Sequence, residues 1–213
     1  MHKVVQGILV CLTLFPLMVI SQIRPLSPKE TETFKFRVAE STKNTVTIES
    51  DFIQDKELSM LSEKIISKGK FLFKKDKMLR WEYTDPFPYL IIIRNDQLFV
   101  KDDNKENRIN INANKVFREI NNILIGAIQG TLLNDTKNFR TNIGDANNQF
   151  MVTLIPLSPR LKETLSEIVL YFNKTDFMVE KLILRESSGD YTKIEFRGKK
   201  MNTNIPDEKF IIP

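Results

Sequence analysis

Between Gly69 and Pro86 the sequence alternates twice, and that alternation limits what the chain can fold into. Gly69, Phe71 and Phe73 share one parity, and so do Leu79, Trp81 and Tyr83 on the other side of a charged turn at Lys74 to Lys77. Successive side chains of a strand point to opposite faces, so the stretch predicts a β-hairpin. Its aromatics gather on one face, with Lys70, Lys74, Arg80 and Glu82 on the other. One face demands cover and the other meets water.

The start of the chain reads differently. Lys3 precedes an uncharged run from Val4 to Ile20, and Val19 and Ser21 stand at the −3 and −1 positions before Gln22. This is the pattern of a secretory signal peptide over residues 1–21, cleaved after Ser21. An uncleaved membrane anchor is the alternative, although Gly7 and Pro16 interrupt the run. Cys11 follows Leu9 and Val10 in mid-run, which is no lipoprotein cleavage site.

Removing that leader removes most reactive chemistry. The single His is His2 and the single Cys is Cys11, so the chain from Gln22 onward has neither. A Ser-His-Asp triad, a Cys nucleophile, a disulfide and the usual zinc ligands are excluded. The net charge is +5, or +4 once Lys3 is lost, with both signs interspersed and no nucleic-acid motif. Such a charge reads as a solvated basic surface.

From Gln22 the elements can be taken in order. Ser27-Pro28-Lys29-Glu30 has the form of a helix start, with a capping serine, an early proline and a Glu three residues on. A helix over 28–42 would turn Phe34, Val38 and, less neatly, Phe36 toward an apolar partner. Strands follow at 45–54, with Val46, Ile48 and Phe52 on one face, then in the hairpin, at 89–94, 97–101 and 107–112. Asn95-Asp96 is a two-residue hairpin turn, and Tyr89 to Ile93, lacking alternation, requires cover on both faces.

A second helix over 114–129 places Val116, Ile120, Leu124, Ala127 and Ile128 at helical spacing before Gly130. Period alone leaves it either a cap on the core or a mobile lid. Strands resume at 138–143, 149–155, 167–173, 177–184 and 190–198, and a final loop over 202–210 returns Phe210 to the core. Two helices and about ten evenly spaced strands favour one strongly curved sheet, an incomplete barrel or a sandwich. No domain boundary interrupts residues 22–213, and 14 of the 15 phenylalanines lie there, enough for a thick core or a lined cavity.

Three groups of residues, in order, resemble the LolA family of periplasmic outer-membrane lipoprotein carriers: Phe52-Ile53-Gln54, the hairpin from Gly69 to Pro86, and Asn204-Ile205-Pro206-Asp207-Glu208-Lys209-Phe210. The resemblance implies a mainly β fold, an unclosed antiparallel β-barrel whose apolar concavity is covered by a helical lid. It implies a monomeric carrier in the periplasm, with no catalytic residue, cofactor, metal or nucleic acid. Such a carrier takes acylated lipoproteins, or another lipid, from an inner-membrane ABC transporter to an outer-membrane acceptor. Each buried methylene is worth about 0.8 kcal/mol, so acyl chains cross water only if shielded.

Carried over by residue, Leu79 and Trp81 fall where the family faces apolar side chains into its cavity. With strand parity they extend to a lining of Val46, Ile48, Phe52, Phe71, Phe73, Leu79, Trp81, Tyr83, Ile91 and Ile93. The lid would contribute Val116, Ile120, Leu124 and Ile128. The family's arginine latch between barrel and lid matches Lys75 here, a point-like donor without the planar fork, with Arg80 close by on the other parity. Some members carry a tail beyond the final Phe-x-x-Pro segment that keeps transfer one-way; with Pro213 at that place, direction is expected to come from the acceptor's affinity. A lipid sensor of the same fold would keep the cavity and add a signalling partner, whereas a hydrolase would need inward carboxylates such as Glu82 or Asp85.

Overall fold

The computed structural model describes residues 23–60, 64–102, 105–111, 122–123 and 125–211. The expected leader and most of the expected second helix lie outside them. The described strands are β1 (Arg24–Pro25), β2 (Thr47–Glu57), β3 (Lys64–Lys74), β4 (Met78–Asp85), β5 (Tyr89–Arg94), β6 (Gln97–Lys101), β7 (Glu106–Asn110), β8 (Phe139–Ala146), β9 (Gln149–Pro156), β10 (Leu165–Asn173), β11 (Val179–Glu186) and β12 (Tyr191–Met201).

They form one antiparallel sheet in the order β1-β8-β9-β10-β11-β12-β2-β3-β4-β5-β6-β7. Two meanders, β2–β7 and β8–β12, are joined where the last strand pairs with β2. β1 and β7 end the sheet unpaired with each other, so the barrel stays open. Pro25 fits there because an edge strand tolerates a residue without an N–H.

Period two holds along nearly every strand. Leu170, Leu182 and Ile194 stand opposite one another in turn, as do Phe73, Leu79, Ile93, Leu98 and Ile109. These rows belong to one cluster of buried side chains. Strands lie about 4.8 Å apart, so rows from β9 and from β4 would be separated by tens of ångströms on a flat sheet. They share a core only because the sheet curls around it.

One helix, α1 (Pro28–Lys43), lies against this inner face. Ser27 and Glu30 form the reciprocal cap expected at its start, with the Ser27 N–H donating to Glu30 Oε2 at 2.8 Å. Phe34 and Val38 are buried, and the Phe34 ring meets Phe150 and Phe172 with centroids 4.8 and 5.3 Å apart. Phe36 is exposed, because two residues advance a helix by about 200° and carry it off the contact stripe.

The outer face bears a smaller cluster of Ile92, Phe99, Ile205 and Phe210. Asp207–Phe210 is a short 3-10 turn that returns Phe210 to the sheet as expected, and it supplies the second cover that Tyr89 to Ile93 requires. Asn95 and Asp96 both have positive φ, 50° and 59°, the conformation of a two-residue hairpin turn.

Candidate functional site

On the inner face the middle of the sheet is aromatic. Phe52 pairs with Gly69, which pairs with Tyr83; one step along, Phe71 pairs with Trp81. A Cβ on Gly69 would stand 2.0 Å from Glu82 O and 2.8 Å from Phe52 Cε1, so only glycine lets the Phe52 ring lie across β3. That ring then meets Trp81 and Tyr83 with centroids 4.9 and 5.0 Å apart. Burial pushes the Tyr83 phenol up to about 12, against the Gln54 Oε1 that accepts its hydrogen bond at 2.9 Å. The neutral hydroxyl thus closes one side of the aromatic group.

Beyond this group lies a cavity of about 40 Å³. β2 contributes Ile48 and Ser50, β3 Phe71, β4 Trp81, β11 Val179 and Leu182, and β12 Phe196 and Lys199. Met178 enters from the turn before β11, and Ala127 and Ile128 enter from the helical residues 125–128. Pockets that enclose small molecules span roughly 300–1,000 Å³. A long chain can therefore enter only if the walls part, and the helical residues, with Met178, are the parts not fixed by a strand ladder.

Two polar groups in this apolar wall need a physical account. β12 carries a bulge between Arg197 and Lys200, with Gly198 at φ 60°. Regular alternation after Ile194 and Phe196 would have turned Gly198 inward and Lys199 out. The extra residue reverses that and brings Lys199 into the cavity wall. Opposite the bulge, the Ser50 hydroxyl donates to Arg197 O at 2.9 Å and so satisfies a carbonyl at the irregularity.

The Lys199 ammonium is sealed from solvent and stands 2.9 Å from Asp176 Oδ2, near enough for an ion pair but without hydrogen-bond alignment to any partner among the described residues. Asp176 is itself held by the Met178 N–H, which donates to its Oδ1 at 2.9 Å. The second group is the Trp81 Nε1–H, on a residue 4% exposed, which has no acceptor among the described residues. A buried unpaired donor costs about 1–3 kcal/mol.

The expected lining divides accordingly. Ile48, Phe71, Trp81 and Ile128 are in the cavity wall. Phe52, Phe73, Leu79 and Ile93 are buried in the same inner cluster without facing the void, and Tyr83 and Ile91 pack against it partly buried. Val46 is exposed, contrary to its parity. It precedes β2, past the last inner row at Ile48, where its N–H is taken by Asn202 Oδ1 and its carbonyl by the Lys75 N–H.

Val116, Ile120 and Leu124 lie outside the described residues. Lys75 is exposed beside a groove shared with Thr42, Lys43 and Gly130, and among the described residues its side chain makes no hydrogen bond. Arg80, the second latch candidate, is held by other partners. Its parity turns it to the outer face, where it donates to Glu82 Oε2 at 2.9 Å and to Lys209 O at 3.2 Å, holding the C-terminal turn. Lys199 escaped sequence reasoning, and the one signal for it was a glycine near a strand end. Among the described residues no group of three or more His, Cys, Asp or Glu side chains could hold a metal ion.

An open, curled antiparallel sheet around an apolar cavity with helical cover defines a class of fold known from solved structures. An uncharacterised conserved protein of Thermus thermophilus aligns with TM-score 0.51 and 10% identity, over 86% of this chain and 94% of that one. Lipoprotein LppX of Mycobacterium tuberculosis aligns at 0.49 and 11%, over 84% and 99%. A LolA superfamily protein of Nitrosomonas europaea aligns at 0.45 and 11%, over 85% and 97%. No curated protein matches the sequence. The model of the family described as outer membrane lipoprotein carrier protein LolA matches residues 43–213, and the chain belongs to that family.

Proposed function

We propose that this protein is a periplasmic carrier that holds the acyl chains of lipoproteins, or of a related lipid, between the inner and outer membranes. One observation carries the reading: the inner face of the sheet is apolar row after row, yet it leaves a cavity that the helical residues Ala127 and Ile128 help to close. A sheet built for stability alone would fill that space, since interiors pack to crystal density. Membership of the family supports the same reading.

In this proposal residues 1–21 are a cleaved leader and residues 22–213 the carrier domain. An inner-membrane ABC transporter loads the chain and an outer-membrane acceptor unloads it. The helix over 114–129 is the lid, and its movement supplies the volume that an acyl chain needs. The protein does no chemistry on its cargo. Mass spectrometry of whatever co-purifies from the native envelope tests the proposal: acylated peptides are expected, and the absence of any bound lipid would overturn it.

A further inference from the structure

We propose that the cargo bears an anionic head, which Lys199 binds inside the cavity, so that the preferred ligand is an acyl chain ending in a free acid rather than in an ester. This rests on the carrier reading and takes its related-lipid branch, since the acyl chains of a lipoprotein are ester- or amide-linked and end in no free acid. A buried ion pair adds little stability over apolar side chains of similar volume, so Lys199 and Asp176 need another reason to face a cavity. The bulge at Gly198 exists at the one point where β12 would otherwise have turned the lysine to solvent.

The donors and acceptors do not balance. An ammonium has three N–H donors, and those of Lys199 lack an aligned acceptor, while Trp81 brings a further unpaired N–H to the same wall. Among the described residues Asp176 is the carboxylate paired with Lys199, and the Met178 N–H already engages it. The wall therefore offers more donor capacity than it uses. A carboxylate or phosphate at the end of a chain supplies the acceptors, and it then shares the Lys199 ammonium with Asp176.

Binding of laurate, dodecyl phosphate and methyl laurate to the delipidated full chain, each delivered from cyclodextrin and followed by calorimetry, tests this. Wild type should prefer both acids to the ester by about tenfold, the scale of one charge-assisted hydrogen bond. Lys199→Met should bind all three alike, and Trp81→Phe should lose part of the preference. A tighter laurate than phosphate identifies a carboxylate head, and the reverse a phosphate head; either supports the proposal. Equal affinity of wild type for acid and ester, or a preference that survives Lys199→Met, overturns it while leaving the carrier reading intact. Failure of all three ligands to bind wild type overturns both. Should Lys199→Met not fold, Lys199→Gln is read in the same way.

Discussion

The two faces of the central strands are built for different ends. On the outer face, Ile92, Phe99, Ile205 and Phe210 form a small cluster, and Phe99 and Phe210 have no exposed surface. Lys74 and Arg80 fasten the C-terminal turn over it through Ile205 O and Lys209 O. On the inner face a much larger apolar cluster keeps a void and two donors without aligned acceptors. The smaller face closes without a void. The larger face gives up packing at its cavity, and two of the buried polar atoms without aligned partners among the described residues stand in that wall.

That contrast breaks most readily on the outer side. Phe210→Ala should cost about 3–5 kcal/mol, measured by denaturant unfolding, while the molecules that remain folded keep their acyl affinity. Gly69→Ala should cost roughly 1–3 kcal/mol, because the new Cβ meets a backbone oxygen and forces β3 from β4. It should also disturb acyl binding through Phe52 and Trp81, which the Phe210 substitution does not touch.

A smaller effect should come from the charged cluster at Asp55. Lys193 Nζ at 2.7 Å, and then Lys64 Nζ at 3.0 Å, hold its carboxyl below the usual carboxylate range against the opposing effect of burial. A depressed folded-state pKa contributes stability at pH values above the unfolded-state pKa, which is lost as pH falls through the folded one. Asp55→Asn should therefore cost about 1 kcal/mol at neutral pH. The gap from wild type should close as pH falls below about 4 in paired thermal melts.

A small change in stability should accompany the largest change in binding. Leu182→Phe directs extra volume at the cavity and should alter unfolding free energy by less than about 1.5 kcal/mol. Acyl affinity should fall about four- to fifteenfold, the loss of one or two buried methylene contacts. Equal losses in both measurements would erase the distinction between the faces.

Much of this arrangement was legible in the sequence, because period two is preserved wherever a ladder is regular. The hairpin around Trp81, the cap at Ser27, the turn at Asn95 and the return of Phe210 each rest on local chemistry that few contexts override. What escaped depends on irregularity or on sheet ends. Two residues of β1 give no periodic signal, and Pro25 argues against a strand. Val46 has the right parity but stands past the rim. Lys199 follows a bulge that resets the count by one, and nothing in Arg197-Gly198-Lys199 announces it except the glycine. The position of greatest chemical interest is thus where alternation fails.

Trp81, the sole tryptophan, is part of the wall of the cavity proposed to receive an acyl chain. Its indole emission can therefore be followed while delipidated protein is titrated with a long-chain acyl ligand. A saturable change in Trp81 emission is expected, weaker for a short chain with the same head, since affinity grows by about 0.8 kcal/mol per buried methylene. An emission spectrum indifferent to ligand, with lipid retention unchanged in Trp81→Ala, would contradict it and leave this face an ordinary core.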